Sequence, residues 1–145
     1  MSDTIKFQCD LNTTNPAVPL GFEVLLNDKS VFKREHITEF CQITFDIIDD
    51  DNAHKLHFVM FGKTPEHTNV DEQGNIVSDA MLEICNIQID DILIDQLLHN
   101  QIEYTHDFNG SQNTIVDKFY GVMGCNGTAT FEFTTPFYLW LLENM

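Results

Sequence analysis

The chain of 145 residues carries 23 acidic residues against seven basic ones, which gives a formal net charge of −16. A field of that sign repels phosphate backbones, so the composition argues against direct binding of DNA or RNA. Hydrophobic residues make up 43% of the chain and include 12 phenylalanines. That content excludes a disordered chain and is enough for the core of one domain over residues 1–145.

Membrane and secretory segments are not evident in the sequence. No apolar run reaches the roughly 18 residues that a membrane-spanning helix needs. The first residues also lack the basic stretch and apolar run of a secretory signal. We therefore expect no membrane contact, and a protein that stays in the cytoplasm or enters a particle assembled there. The four cysteines are widely spaced, which argues against a zinc site or a disulfide framework.

Alternation of apolar and polar residues dominates the first third of the chain and predicts strands. Ile5–Asp10 is the first predicted strand, and a polar loop with two prolines follows it. Gly21–Leu26 and Ser30–Arg34 predict a hairpin. The turn between them, Asn27-Asp28-Lys29, contains an Asn-Asp pair that tolerates the left-handed backbone of a tight turn.

A second hairpin is predicted from Phe40 to Phe61. Every second residue is apolar on both halves: Cys41, Ile43, Phe45 and Ile47, then Leu56, Phe58 and Met60. A two-residue turn at Asp51 and Asn52 would place Phe45 opposite Phe58. The two apolar stripes would then coincide on one buried face of a sheet.

The remaining predicted elements are shorter. After a polar loop at 63–79, strands are predicted at Met81–Ile89, Ile92–Ile94, Glu103–Phe108, Phe119–Met123 and Thr128–Thr134. The last two are predicted to form a hairpin around Asn126-Gly127. A terminal helix at Phe137–Asn144 would begin after Thr135 and Pro136. The pattern predicts an all-β fold, a single-domain antiparallel β-sandwich, jelly-roll-like, with a short C-terminal helix.

Motifs for catalysis are missing from the sequence. It contains no zinc-protease, nucleophile-elbow, phosphate-loop or dinucleotide motif. A catalytic pair among the 23 acids stays open, but no pair stands out. We therefore predict a binding protein rather than an enzyme.

Acidic turns offer oxygen ligands of the kind that calcium prefers. The candidates for a metal site are Asp49, Asp50, Asp51, Asp71 and Asn75. Their spacing does not match a helix-loop-helix calcium site. The alternative is that these residues only make turns and a soluble surface.

Aromatic and amide side chains in the second half of the chain suit carbohydrate binding. Sugars stack their C–H faces on aromatic rings and donate hydroxyl hydrogens to carboxylates and amides. The candidate ligand-binding residues are Tyr104, Asp107, Asn109, Asn113, Tyr120 and Asn126. The alternative is that most aromatic residues, including Trp140, belong to the core.

Five segments of the sequence carry a resemblance to a known family: Gly62–Thr68, Asp71–Asn75, Tyr104–Gly110, Gly124–Gly127 and Phe133–Glu143. Together they resemble an uncharacterised family of small proteins from phages of marine cyanobacteria and from ocean metagenomes. The resemblance implies a β-sandwich of the kind seen in calcium-dependent carbohydrate-binding modules. It implies no catalytic residue.

Three functions remain open on the sequence alone. The first is recognition of a carbohydrate with the help of calcium. The second is a virion or assembly protein whose partner is another protein or a second copy of this chain. The third is an acidic decoy that occupies a DNA-binding protein.

Overall fold

The described structure is built almost entirely of short strands. A computed structural model describes residues 3–63, 69–74, 76–95, 102–106 and 114–144. The elements in chain order are β1 (Thr4–Thr13), β2 (Gly21–Leu26), β3 (Lys29–Arg34), β4 (Cys41–Ile48), β5 (Ala53–Phe61), β6 (Asn69–Val70), β7 (Ile76–Ser78), β8 (Leu82–Ile89), β9 (Ile92–Leu93), β10 (Glu103–His106), β11 (Ile115–Lys118), β12 (Val122–Met123), β13 (Gly127–Thr134) and α1 (Phe137–Asn144).

The strands form two antiparallel sheets with a small β6–β7 pair beside them. The first sheet has the order β12-β8-β1-β4, with β9 paired to β8. The second has the order β11-β10-β13-β5-β2-β3. The chain passes from one sheet to the other at β1–β2, β3–β4, β4–β5, β9–β10, β11–β12 and β12–β13, and also between β5 and β8 by way of the β6–β7 pair. This connectivity confirms the predicted jelly-roll-like β-sandwich.

The core lies between the two sheets and is rich in phenylalanine. The Phe7 ring on β1 lies 6.1 Å, between centroids, from the Phe58 ring on β5. Phe22 on β2 lies at the same distance of 6.1 Å from Phe58. Burying an aromatic side chain of this size contributes about 1.5–3 kcal/mol. The contacts between Phe7 and Phe58 therefore hold one sheet against the other.

The predicted β2–β3 hairpin is confirmed, although Lys29, which was predicted in the turn, is the first residue of β3. Leu26 and Lys29 are cross-strand partners, so the turn has two residues. Those residues, Asn27 and Asp28, have φ angles of 51° and 66°. Both values lie in the left-handed region that a hairpin turn of this kind requires.

The predicted hairpin between β4 and β5 is wrong, although the predicted buried faces are right. Ile43 and Phe58 are buried, but β4 pairs only with β1 among the described strands, and β5 pairs with β2 and β13. The connection between them crosses the sandwich. The Asp49 amide donates to Asp3 O at the first sheet (2.9 Å), whereas the Thr135 amide at the second sheet donates to Asn52 O (3.1 Å).

The predicted hairpin between β12 and β13 is wrong for the same reason. Met123 pairs with Leu82 in the first sheet, and Gly127 pairs with Met60 in the second. Alternation shows which face of a strand is buried, but it does not show which strand is the neighbour. The apolar faces of two strands are equally consistent with a hairpin and with two strands that face each other across the core from different sheets.

The C-terminal helix is confirmed and closes one end of the core. Phe137 and Trp140 are buried, and Leu141 packs partly against the same cluster. The Trp140 ring meets Phe131 edge-on, with 5.3 Å between centroids. The Thr135 hydroxyl accepts from the Asp50 amide at 3.3 Å and so fixes the start of the helix to the β4–β5 connection. In the described ranges, no helix has the length and apolar character needed to cross a membrane.

Candidate functional site

A cleft of about 210 Å³ opens on the first sheet, where β8 meets the segment that leads into β12. Its walls combine apolar, aromatic and acidic side chains. The lining residues are Glu83, Ile84, Cys85, Ile87, Asp95, Phe119, Tyr120, Gly121 and Val122.

One wall of the cleft is shaped by a β-bulge in β8. Gln8 pairs with Gln88 and Asp10 with Cys85, so β8 has one more residue than β1 over this stretch. Asn86 takes up the difference with a left-handed φ of 51°. Ile84 and Ile87 both remain buried, and the residues between them, Cys85 and Asn86, both face outward. A bulge of this kind redirects side chains away from strict alternation.

Asp95 closes the bulge from the segment after β9. Its Oδ2 atom accepts from the Asn86 amide at 2.8 Å, and its Oδ1 atom accepts from the Ile87 amide at 2.6 Å. These two amides need partners where the bulge disrupts the β-ladder. The carboxylate is thereby fixed at the wall of the cleft, and each oxygen keeps capacity for a second hydrogen bond.

The opposite wall presents an aromatic ring. Phe119 is buried and lies 6.2 Å from Phe58, between ring centroids, whereas the next residue, Tyr120, is 62% exposed. Gly121 O accepts from the Ile84 amide at 2.7 Å. Gly121 has a φ of +88°, and a Cβ there would lie 3.0 Å from Ile84 O. A glycine therefore permits the close approach that sets Tyr120 at the edge of the cleft.

The cleft is electrostatically negative. Glu83 and Asp95 line it, and its lining contains no lysine or arginine. Asp10 lies beside it and accepts from Asn86 Nδ2 at 2.7 Å. Desolvation raises the pKa of the Cys85 thiol, and the carboxylates of Asp10, Asp95 and Glu83 raise it further. The Cys85 thiol is therefore kept protonated. The groups that the cleft offers to a ligand are the carboxylate hydrogen-bond acceptors and the aromatic face of Tyr120.

The predicted ligand-binding residues do not share one place. Of the predicted set, Tyr120 lines the cleft. Tyr104 is 5% exposed; its hydroxyl donates to Cys125 O and accepts from the Cys125 amide at 3.0 Å. Burial raises the pKa of Tyr104. Asn126 Oδ1 accepts from the Lys63 amide (2.9 Å), and its Nδ2 donates to Lys63 O (2.7 Å). Both side chains thus support the connection before β13.

Three other predicted ligand residues, Asp107, Asn109 and Asn113, lie outside the described residues, in the stretch that joins β10 to β11. Among the predicted metal ligands, Asn75 also lies outside them.

The predicted metal ligands that are described lie in two separate connections. Asp49, Asp50 and Asp51 belong to the β4–β5 connection, where Asp50 Oδ1 lies 3.0 Å from His54 Nε2. Asp71 Oδ1 accepts from the Gln73 amide at 2.9 Å in a turn of its own. Over the described ranges, no three His, Cys, Asp or Glu side chains come together in a group that would hold a metal ion. As described, these acids do not fit a calcium cage.

Glu83 and Asp95 were missed by the sequence prediction, although the sequence contains a signal for them. Buried isoleucines at 84, 87 and 89 break the alternation of β8 between Ile84 and Ile87. Such a break is typical of a bulge, and bulges are common beside functional sites. The need for a hydrogen-bond acceptor at the bulge explains an acid nearby, but its position at residue 95 requires the fold.

Comparison with known proteins shows a likeness in fold. No family model matches the sequence, and no curated protein matches it significantly. Two solved structures of vCBM60 are similar. One is a selenomethionine form, and its description concerns a circular permutation that links two families of calcium-dependent carbohydrate binding modules. It is 12% identical in sequence, the match covers 88% of this chain and 89% of that one, and the TM-score is 0.51. The other, vCBM60 in complex with galactobiose, is 13% identical over 89% of this chain and 97% of its own, with a TM-score of 0.47. At 12% identity the first likeness supports the β-sandwich fold alone.

Proposed function

We propose that this chain is a non-catalytic carbohydrate-binding module whose ligand lies in the cleft beside Tyr120. The observation that carries the proposal is the pairing of an exposed aromatic ring with two carboxylates, of which Asp95 is held by backbone amides. The Tyr120 ring is 62% exposed and lines the same cleft as Glu83 and Asp95.

The Tyr120 ring supplies the apolar part of sugar recognition. A pyranose presents a face of C–H groups, and an aromatic ring removes that face from water without demanding a hydrogen bond. Tyr120 sits between buried Phe119 and the glycine that approaches β8. Its backbone is therefore held in place before a ligand arrives, which lowers the entropy cost of binding.

The carboxylates supply the polar part. Asp95 is fixed by two backbone amides at 2.6 and 2.8 Å, and its remaining lone pairs accept hydroxyl hydrogens. Glu83 is exposed on the same wall. A cleft of about 210 Å³ is smaller than the roughly 300–1,000 Å³ of pockets that enclose a drug-sized ligand. It suits a short stretch of a glycan lying across the surface.

The fold likeness supports the same class of ligand. The neighbour with a TM-score of 0.51 is described among calcium-dependent carbohydrate binding modules. We extend that description to this chain only as a proposal, because one fold serves many functions.

A glycan array followed by titration calorimetry tests the proposal. We expect Tyr120→Ala to weaken binding of the selected glycan by about tenfold, because stacking contributes about 0.5–1.5 kcal/mol beyond buried area. Tyr138→Ala is the matched control, since Tyr138 is 54% exposed and does not line the cleft. Equal losses in both variants would place the ligand elsewhere. No binding to any glycan, with or without calcium, would remove the proposal.

The proposal also includes a role for calcium. We propose that calcium assists binding, and the support for this is the likeness to a structure described among calcium-dependent carbohydrate binding modules. The array is therefore read in excess calcium and again in excess chelator. Binding that survives the chelator unchanged would remove calcium and leave the Tyr120 cleft as proposed.

A second candidate function, binding to another protein or to a second copy of this chain, is favoured by helix α1. Its outer side exposes Tyr138, Leu139 and Leu142, with 69% exposure at Leu142. Contiguous exposed apolar residues are typical of interaction surfaces. We expect Leu142→Glu to abolish any association seen by mass measurement in solution. Leu93→Glu is the control, at 60% exposure on β9. A strict monomer with no partner would count against this function.

A further inference from the structure

We infer that the Tyr120 cleft selects saccharides by charge, and that it prefers sugars with protonated amines over acetylated or anionic sugars. The inference rests on the proposed function and names the class of saccharide. It is carried by the residues that line the cleft and by the hydrogen bonds that hold Asp95 in place.

The first observation is the charge on the lining. Glu83 and Asp95 contribute two carboxylates, and none of the seven basic residues of the chain lines the cleft. In the described part of the chain, no salt bridge involves either acid. Their charges are therefore not neutralised by a cationic side chain there. An incoming carboxylate or sulfate would meet like charge, which is unfavourable.

The second observation is that Asp95 cannot turn away. Its two oxygens are held by the amides of Asn86 and Ile87. An ion pair with a fixed carboxylate loses less side-chain entropy than one between two mobile groups. Asp95 therefore offers a positioned acceptor for an ammonium group.

The third observation is the surroundings of the Cys85 thiol. Its pKa is raised by desolvation and then by the three carboxylates of Asp10, Asp95 and Glu83. This agrees with the negative potential that the lining residues imply. A protonated amine placed there would be attracted, and it would also lie beside the aromatic face of Tyr120, which favours cations.

A matched set of hexasaccharides tests the inference. The set is hexaglucosamine, hexa-N-acetylglucosamine and hexagalacturonate, titrated into the full chain. The first two share a backbone and differ in the charge and acetylation of the nitrogen. We expect hexaglucosamine to bind most tightly and hexagalacturonate most weakly. We also expect the differences in affinity among the three hexasaccharides to become smaller at high salt, because exposed ion pairs are screened.

Two substitutions distinguish the effect of the charges in the cleft from the effect of the net charge of −16. Glu83→Gln removes one charge from the cleft, and we expect it to reduce the preference for hexaglucosamine over the acetylated form by about two- to fivefold. Glu143→Gln removes the same charge from α1, outside the cleft. We expect it to leave that preference within about 1.5-fold, because Glu143 does not line the cleft and salt screens interactions between exposed charges.

The outcomes distinguish the two proposals. If none of the hexamers binds and the array is also blank, the saccharide function itself fails. If all three bind equally, or if Glu143→Gln acts as strongly as Glu83→Gln, the saccharide function stands and charge selection by the cleft is overturned. Weaker hexaglucosamine binding in Tyr120→Ala, together with a preference that is reduced by Glu83→Gln and not by Glu143→Gln, supports the inference.

Discussion

The Nζ atom of Lys63 lies 2.5 Å from Oδ1 of Asp79, and the lysine side chain is only 1% exposed. The same Nζ atom donates to Gly124 O at 2.6 Å. These bonds join the residues just after β5, just before β8 and just before β13. Because a buried ammonium group is costly unless it is paired, this arrangement fixes three connections at one end of the sandwich.

We expect Lys63→Met to lower the free energy of unfolding by about 2–3 kcal/mol. Removing one partner of a fully buried pair costs about 3–5 kcal/mol, and Asp79 retains 22% exposure, which reduces the loss. Urea denaturation measures it. Lys55→Met is the control, because Lys55 and Glu132 form an exposed pair at 3.3 Å, worth about 0–1 kcal/mol. Equal losses in the two variants would contradict the role of the Lys63 pair.

The bulge in β8 makes a second stability prediction. We expect Asp95→Ala to cost about 1–3 kcal/mol, because it leaves the amides of Asn86 and Ile87 without their carboxylate acceptor. Asp95→Asn keeps one acceptor oxygen and should cost less. Glu83→Gln on the same wall should change stability by less than about 0.5 kcal/mol. An Asp95→Ala variant as stable as Glu83→Gln would show that the carboxylate does not hold the bulge.

Acid titration should reveal Asp50. Hydrogen bonding by Asn52, with a further contribution from His54, holds the pKa of Asp50 below the ordinary value of 3.8 for an aspartate. The unfolded chain therefore takes up a proton first as the pH falls. The stabilisation from Asp50 is full above the unfolded-state pKa and is lost as the pH falls through the folded-state pKa.

The matched variant for this titration is Asp50→Asn. We expect the difference in unfolding free energy between the parent and Asp50→Asn to shrink as the pH is lowered below about 4. Chemical denaturation at a series of pH values measures it. A difference that stays constant over the acid range would show that this carboxylate makes no linked contribution.

Thiol alkylation reports on the cleft directly. The pKa of Cys85 is raised by desolvation and by the carboxylates of Asp10, Asp95 and Glu83, so less thiolate is present near neutral pH than in an ordinary thiol. We expect Cys85 to react with iodoacetamide more slowly than a cysteine in an unstructured peptide. Asp10→Asn should speed the reaction, and a bound glycan should slow it. Peptide mass spectrometry follows Cys85 separately from buried Cys9. A rate unaffected by Asp10→Asn would contradict the electrostatic cause.

Local patterns in the sequence predicted local structure well. The Asn27-Asp28 pair specified the β2–β3 turn because few residues tolerate two successive left-handed conformations. The buried faces of β4 and β5 also followed from alternation. Their neighbours did not, because the choice between a hairpin and a crossing connection depends on distant residues. Thr135, which bonds to the β4–β5 connection, lies more than 80 positions away in the sequence.

The candidate site was predicted only through Tyr120. An exposed tyrosine and a buried one look alike in the sequence, and Tyr104 proved to have its hydroxyl bonded to Cys125. Glu83 and Asp95 reach one cleft because a bulge in β8 and the short β9 bring them together. That juxtaposition depends on the register of β8 against β1, which the apolar pattern alone does not give.

The alternation of the chain between two sheets also bears on how the molecule is made. Both β4 and β5 have their hydrogen-bonding partners elsewhere in the chain, as do β12 and β13. Local hairpins such as β2–β3 can form early, but β4, β5, β12 and β13 must wait for partners that are remote in the sequence. Domains of this topology fold over milliseconds to seconds rather than microseconds. During that interval the phenylalanine-rich strands of one molecule can contact those of another. The excess negative charge opposes such association, because the molecules repel one another.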